Sequence, residues 1–530
     1  MTQTVDAVVV GAGHNGLVAA NMLADADWDV VVLEATGAAG GAVRSAEISP
    51  GYRADLCSAF YPLAAASPAL AALDLSGYGL AWTHAPHVLA HLLPDGRAVV
   101  LDRDPTRTAD SVEMFASGDG ARWRGLYARW LRVAEPLLDS LLRPFPPLRP
   151  ALRLVRAQPA AELIRLIHTF LMPAGRLADQ VFAGEGAKLL LSGLALHSDL
   201  GPQETGSGAY GWIMAMLGQQ FGFPVPVGGA GEITNSLVAR FAAAGGQLRC
   251  GAPVAEIVVA GGRALGTRCA DGTLIRARRA VLCDVSAPML YGHLVAGQHL
   301  PRQLLADLDG FVWDHSTIKI DWALRGRVPW TTPEVGGAGT VHLGVDFAGL
   351  CRYAGALSAG DPPSDPFVLA GQMTTADPTR SPVGTETLWA YTHLPRRRFW
   401  SADAIDEHVR RVEAIFERHA PGFGGLVVGR RVAGPDALEV ENPNLDHGAI
   451  AGGTAAPHQQ LIFRPLPGLG RADTPIDRLY LASASAHPGG GVHGAPGANA
   501  ARAALARSRP FAGDVYRAVV QAGFRRVEGK

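Results

Sequence analysis

Hydrophobic positions at the start of the chain fall into two short runs, Val5 to Val10 and Trp28 to Leu33, with glycines and a helix-forming stretch from Leu17 to Ala24 between them. Strand, turn, helix and strand within about 30 residues predict a βαβ unit. From roughly Phe60 to Phe223 the pattern changes to Leu, Ala, Arg and Pro with apolar residues at helical spacing, as in Ala161 to Leu171 and Ala187 to Leu196. That spacing predicts a separate, mostly helical region. Gly228-Gly229-Ala230-Gly231 restores the first style, with a helix from about Glu232 to Ala244 and short strands around Pro253 to Val259 and Ala264 to Arg268. Asp271-Gly272 then turns the chain into a strand from Thr273 to Arg278, and Ala280 to Cys283 reads as a further, buried one. Ser316 to Leu324 alternates as a strand of a second module, and Arg478 to Ala482 leads into a helix from about Pro496 to Arg507. The Pro144 to Pro150 cluster reads as a loop or hinge, and no internal repeat is visible.

This order predicts an α/β fold with a discontinuous nucleotide domain made of residues 1–60, 226–290 and 471–530. Residues 61–225, mostly helical, and 291–470, sheet-containing, form an inserted α+β substrate domain. Insertions at the ends of a parallel sheet lie over the crevice where a cofactor sits. A chain of 530 residues exceeds what one hydrophobic core organises. With 48% hydrophobic and 18% charged residues it is globular, and a net charge of −1 gives no global field for nucleic acid. Five cysteines, Cys57, Cys250, Cys269, Cys283 and Cys351, form no CxxC pair and no compact metal site, which fits reduced thiols in the cytoplasm. No secretory signal and no long apolar span are present, so a soluble or peripherally attached protein is expected.

The chemistry concentrates at two glycine turns near opposite ends of the chain. In the first, Gly11 allows a tight turn, Gly13 lets backbone approach a pyrophosphate, and Gly16 lets the helix pack close to the strand with its N–H groups facing an anion. Glu34, at the end of the next apolar run, can accept ribose hydroxyls. Gly40-Gly41 and Arg44 follow as a loop where backbone and guanidinium can approach a diphosphate and a flavin. The second turn is His487-Pro488-Gly489-Gly490-Gly491-Val492-His493.

The stretches GAGHNGLVAA, GGAVRSAEISPGYRADL, GQQFGFPVPVGGAGEIT, ENPNLDHGAIAGG and YLASASAHPGGGVHGAPGANAA resemble the phytoene dehydrogenase-related branch of the FAD-dependent amine oxidase superfamily. Within it, the likeness is to the subgroup of pyridine nucleotide-disulphide oxidoreductase domain-containing protein 2 and its bacterial relatives. The resemblance implies a Rossmann-like FAD-binding domain of the p-hydroxybenzoate hydroxylase or amine oxidase type and noncovalent FAD. It implies no second pyridine-nucleotide domain, in keeping with the single complete GxGxxG, and no disulphide chemistry, in keeping with the cysteine spacing. It further implies that main-chain groups at Val254 hold the adenine edge. Gly489, Gly490, Gly491 and Val492 would face the ribityl and pyrimidine end of the flavin. Ser483 and Ser485 stand where relatives often carry glycine.

Lys319 is the sharpest catalytic candidate, because the chain has only three lysines and Ser316-Thr317-Ile318-Lys319-Ile320 resembles the strand that aims a lysine at flavin N5 in amine-oxidase relatives. The alternative is an ion pair with Asp321 on the same strand face. His487 and His493 can act as general bases or cap loop carbonyls. Arg464, Asn442, Asn444 and Tyr61 are assigned to the substrate pocket, with turn chemistry as the alternative for the asparagines.

Six arginines (143, 149, 153, 156, 165 and 176) against one acid, Glu162, read either as a lipid-facing lid or as a solvated helix face. The functional expectation is an FAD-dependent dehydrogenase or desaturase that transfers hydride from an elongated apolar or amphipathic small molecule to flavin N5, with no metal and no nucleic-acid partner. Alternatives are a redox-neutral flavin-dependent isomerase of a polyene-like substrate and a non-catalytic flavoprotein with a protein partner.

Overall fold

A computed structural model describes residues 2–527. The chain opens with β1 (Thr2–Val10), α1 (His14–Ala24) and β2 (Val30–Leu33), then makes β3 (His87–Leu92) and β4 (Ala98–Leu101). Helices follow: α2 (Asp119–Leu142), α3 (Leu148–Ala157), α4 (Ala160–Leu171), α5 (Glu185–Ala195), α6 (Ser207–Phe221) and α7 (Gly231–Ala243). Next come β5 (Gln247–Arg249), β6 (Val254–Ala260), β7 (Arg263–Cys269) and β8 (Leu274–Cys283). The later part holds β9 (Ser316–Leu324), β10 (Ala338–Leu343), β11 (Val368–Gln372), β12 (Glu386–Leu394), α8 (Ala402–His419) and β13 (Val427–Ala433). It closes with β14 (Leu479–Leu481), α9 (Ala495–Ser508) and α10 (Ala512–Val527).

Two seven-stranded sheets organise these elements. In the first, β5, β2, β1, β8 and β14 run parallel in that order, and the antiparallel β6–β7 hairpin pairs with the start of β8. A parallel sheet must be covered on both faces, and here α1, α7 and α9 cover one while residues 287–308 cover the other. Thr273 to Cys283, read from sequence as two strands, is almost entirely the one strand β8. The break in its apolar pattern is a bulge in the β1 pairing, where Arg278 and Arg279 both reach Asp6 at 2.9 and 3.2 Å.

The second sheet has the order β13-β9-β12-β11-β10-β3-β4. Residues 60–223 are mostly helical, and the two strands β3 and β4, which the sequence pattern did not reveal, carry part of that stretch into this sheet. The run His87-Val-Leu-Ala-His-Leu lacks alternation because both faces of the strand are buried. One face, with Ile318, Ile320, Trp322, Ala390 and Val341, packs on Val409, Val412 and Phe416 of α8. The other turns toward α5 and α6. The Pro144 to Pro150 cluster is a loop only as far as Pro147, after which α3 begins. Among the described residues no helix is long and apolar enough to cross a membrane.

Helices from the two ends of the chain meet without room for a side chain. A methyl group on Gly16 would collide with the Gly11 carbonyl, and one on Gly497 with the carbonyl of Asn15. Gly523, on α10, has open space around it. Gly497→Ala is therefore expected to destabilise the protein by about 1–3 kcal/mol or more, whereas Gly523→Ala should be neutral or stabilising by up to about 1 kcal/mol. Urea unfolding of both variants checks this, and equal effects would count against the close contact.

Candidate functional site

The N-terminal glycine turn is built by β1 stopping at Val10 and α1 starting at His14. Gly11 sits at φ +95° and its N–H donates to Leu33 O at 2.8 Å. Gly13 is the N-cap of α1 and brings no side-chain cap, so donors at the helix start remain for a ligand. The Gly40-Gly41 turn closes on it, since Gly40 N–H donates to Ala12 O at 2.8 Å and Gly13 bridges to Gly40. The Glu34 carboxylate accepts from Ala12 N–H at 2.9 Å and from Thr36 N–H and Oγ1, each at 2.8 Å. A carboxylate offers about four lone-pair positions, so one further donor fits there. Arg44 donates from Nε to Gly41 O at 3.0 Å and from Nη2 to Glu441 O at 2.8 Å, which ties this loop to the second module. Val254 opens β6 two residues beyond Ala252, whose N–H donates to Glu34 O at 2.8 Å.

The C-terminal glycine turn abuts the first. His14 Nε2 lies 3.3 Å from Gly491 O, and β14 leads into the turn from its place beside β8. Gly489 and Gly491 have φ of +115° and +113°, which only glycine adopts without strain. A methyl on Gly490 would sit 2.8 Å from Ala451 O. Helix α9 starts behind the turn with Gly494 as N-cap at φ +65°, again without a side-chain cap. His493 Nδ1 accepts from Ala495 N–H at 3.1 Å, and the His493 carbonyl accepts from Ser67 Oγ at 2.6 Å. His487 Nε2 donates to Arg143 O at 3.0 Å. Burial pushes His487 down to about 4 and His493 to about 3, with the charges of nearby histidines adding to the latter. Both are thus weak bases, and each has main-chain partners.

Arg464 and Tyr61, assigned from sequence to the substrate pocket, are both buried and bonded to main-chain carbonyls. Arg464 is fully buried, and its guanidinium donates to carbonyls of Thr454 (2.9 Å), Ala451 (3.0 Å) and Ala484 (2.8 Å), a clamp beneath Gly489. Tyr61 is buried as well, and its hydroxyl donates to Ser58 O at 2.7 Å. Asn444 bridges Asp284 O (3.0 Å) and Ser286 N–H (2.9 Å), and Asn442 Oδ1 accepts from Asn444 N–H at 3.1 Å, the structural role given as their alternative. The Asn442 amide lies beside Gly41. Ser485 is accommodated by donating Oγ to Gly452 O at 2.9 Å.

Lys319 lies on the inward face of the second sheet. Cross-strand pairing puts Thr317, Lys319 and Asp321 beside His393, Tyr391 and Trp389, and His342 beside His91 farther along the same face. The Lys319 ammonium pairs with Asp321 and lies 5.8 Å from the Trp389 ring centre. Asp321 also accepts from Arg431 at 3.0 Å, and Arg431 pairs with Glu441. A chain of ion pairs thus runs from Glu441, whose main-chain carbonyl holds Arg44 of the glycine loops, to Lys319. From the C-terminal turn a second, apolar line leads to the same place. Leu63 touches Gly491, and Phe60 lies 6.1 Å from Trp389, which stacks on Tyr391 at 5.8 Å.

Two carboxylates were not singled out from sequence. Asp284, at the end of β8, lies under the first turn. Its Oδ2 accepts from Gly16 N–H at 2.8 Å, and a methyl on Gly13 would come within 2.5 Å of it. Burial, with Glu34 nearby, raises its pKa to about 7. Asp314 accepts from Ile450 and Ala451 N–H at 2.7 and 2.9 Å and fixes the loop that Arg464 clamps from the other side. Neither belongs to a motif; only the adjacency of β8 to β1 and of the 450–454 loop to the glycine turn reveals them. Among the described residues no cluster of His, Cys, Asp and Glu could hold a metal.

Three glycine turns without room for side chains, two helix starts without caps and one carboxylate with spare acceptor capacity fit an extended dinucleotide. Comparison with known proteins agrees. The profile of the family described as flavin containing amine oxidoreductase matches residues 16–505. Pyridine nucleotide-disulfide oxidoreductase domain-containing protein 2 of Mus musculus is 28% identical over 94% of this chain and 92% of its own length. A hydroxyneurosporene desaturase of Cereibacter sphaeroides is 27% identical over 94% of this chain and 97% of its own length. An oxidoreductase structure from Methanosarcina mazei superposes with a TM-score of 0.63 at 15% identity, covering 95% of this chain and 100% of that one.

Asp284 gives a pH signature. Its folded pKa stands above the unfolded carboxyl value, so between about pH 4 and 7 the folded state holds one more proton than the unfolded state. Stability from this group is complete below the unfolded value and declines by about 1.4 kcal/mol per pH unit as pH rises through that window. Asp284→Asn, which keeps an oxygen acceptor for Gly16 N–H, is expected to remove that slope in urea unfolding from pH 4 to 8. An unchanged slope would show that Asp284 titrates normally.

Proposed function

Since the chain belongs to the flavin containing amine oxidoreductase family, we propose that this FAD-dependent oxidoreductase is a dehydrogenase or desaturase of an elongated apolar or amphipathic small molecule. Residues 1–60, 226–290 and 471–530 form its FAD domain, and the rest covers the flavin. Bound FAD supplies a two-electron acceptor for substrate hydride. Main-chain donors at Gly13 and Gly41 would hold the diphosphate, in room left by the missing side chains of Gly11, Gly16 and Gly40, with Glu34 on a ribose hydroxyl and the main chain at Val254 on the adenine. Gly489 to Val492 and the start of α9 would hold the pyrimidine end, where a helix N-terminus and the buried Arg464 charge favour negative charge.

The observation that carries this reading is the aromatic line from Gly491 through Leu63 and Phe60 to Trp389 and Tyr391. A planar, apolar molecule placed there is held by ring faces and kept from water, so its C–H bonds are oriented without acid–base groups at every position. Lys319 is the side chain we assign to the site's chemistry. Asp321 fixes its ammonium on the face that carries those rings, where it orients a polar substituent or moves a proton at Nζ. The desaturase among the relatives, which is named for hydroxyneurosporene, supports an apolar substrate class.

Purified protein is expected to carry FAD, and Gly13→Val, which drives a side chain into Asp284, should lower FAD affinity at least about tenfold. Anaerobic mixing with terpenoid, polyene and long-chain amphipathic compounds should bleach the flavin stoichiometrically with at least one of them. Turnover without net bleaching would replace the dehydrogenase reading with the isomerase one. Lys319→Met should keep the flavin while lowering the bleaching rate by more than about tenfold, and an unchanged rate would remove Lys319 from the chemistry.

A further inference from the structure

Helices α3 and α4 expose the side chains that an amphipathic helix normally buries. Leu148, Leu152 and Val155 on α3 and Ile164, Ile167 and Leu171 on α4 are 47% to 73% exposed. Their spacing of three and four residues puts each set on one helix face, and only Gln158 and Pro159 separate the two helices. The inward sides of both helices pack on the protein, with Pro150, Leu166 and Thr169 buried, so the exposed faces are not core left open by misplaced helices. A third exposed apolar group, Leu461, Ile462 and Phe463, adjoins them: Phe145 N–H, just before α3, donates to Gly470 O at 3.3 Å, and Gly470 packs on Ile462. Contiguous exposed apolar surface of this extent marks an interaction site.

Charge decides the occupant. Arg143 and Arg153 are matched by Asp139, and Arg165 by Glu162. Arg149 and Arg156, exposed on α3 next to its apolar stripe, have no carboxylate within ion-pair distance among the described residues, and α3 contains no acid at all. An apolar stripe rimmed by unmatched arginines on helices lying along the surface is complementary to acyl chains beneath anionic headgroups. We propose that α3, α4 and the Leu461–Phe463 turn dock this protein on the surface of an anionic phospholipid bilayer. The docked face is mechanically tied to the second glycine turn. Phe145 lies 6.3 Å from the His487 ring, His487 bonds Arg143 O, and Phe463 precedes the Arg464 clamp. An apolar molecule dissolved in the bilayer would therefore meet the protein beside the site rather than across the water phase.

Flotation of the FAD-loaded full chain with phosphatidylcholine vesicles, with and without phosphatidylglycerol, tests the proposal apart from catalysis, because no turnover is needed. Wild type is expected to float with the anionic vesicles and to be released as salt rises. Ile164→Asp/Ile167→Asp should abolish flotation while flavin content and melting temperature stay at wild-type values, since both side chains are exposed. Arg149→Gln/Arg156→Gln should weaken binding about fivefold per arginine. Wild type that stays in the aqueous fraction, or an aspartate variant that floats like wild type, would overturn it. So would light scattering that shows a dimer which the aspartate pair converts to monomer, because the apolar faces would then be meeting a second copy.

Discussion

The structure depends on a contact in which nothing but backbone fits. Helix α1 leaves the first strand and α9 leaves the last one, and they meet where Gly497 faces the Asn15 carbonyl, one residue from Gly16, which itself packs on the Gly11 carbonyl of its own turn. Because sequence-distant segments are held this closely, the starts of two helices and three glycine turns are gathered at one end of a parallel sheet. Each helix start carries partial positive charge and N–H donors that Asp284 at α1 and His493 at α9 satisfy only in part. Gathered together they are unfavourable without an anion, so the same backbone contact that closes the fold also defines what it binds. FAD, an elongated dianion, would meet all three turns at once in the site we propose.

A second constraint keeps the far side of the glycine turn rigid. The loop from Ile450 to Ala455 has its N–H groups fixed by Asp314 and Asp199 and its carbonyls by Arg464. A buried guanidinium without a carboxylate partner is costly unless its donors are satisfied, and here peptide carbonyls satisfy them. In return the loop presents Ala451 to Gly490 at van der Waals distance and its own turn to Ser485. Such a cation does not move with substrate. It is a fixed element of the field at the pyrimidine end of the proposed flavin site, close to charge that appears only when the flavin is reduced.

Legibility of the sequence followed the range of the interactions involved. Apolar runs bounded by glycine located β1, α1 and β2, and Ser316 to Leu324 was readable to its ends because turn residues and charges flank it. β3 and β4 escaped, since a strand buried on both faces with histidines inside has no period to read. β8 looked like two strands because the bulge beside Asp6 puts two arginines in its middle. Glycine turns announce themselves locally, but Asp284 acquires meaning only when β8 lies against β1. For Arg464, nothing local says that separate carbonyls will surround it. The exposed apolar faces of α3 and α4 have the same periodicity as a core helix, and only the fold shows which way they turn.

The inward face of the second sheet carries histidines, yet it is built to stay uncharged. His91, His197 and His393 are pushed by burial to about 4, 4 and 3, and His342 well below its ordinary value by burial and by its histidine neighbours. His197 and His342 share one hydrogen bond at 2.8 Å, which requires a free lone pair on one of the two facing nitrogens. Apart from the Lys319–Asp321 pair, the Trp389–Tyr391–His393 face therefore carries dipoles rather than ions, a surface on which an apolar chain can lie while a polar end finds partners. The cost appears in acid. Each histidine binds its proton more readily when unfolded, so the stability gained by keeping it neutral is complete above pH about 6.5 and declines as pH falls toward the folded values. The neutral face on which we place an apolar molecule is thus the same face through which low pH loosens the second sheet.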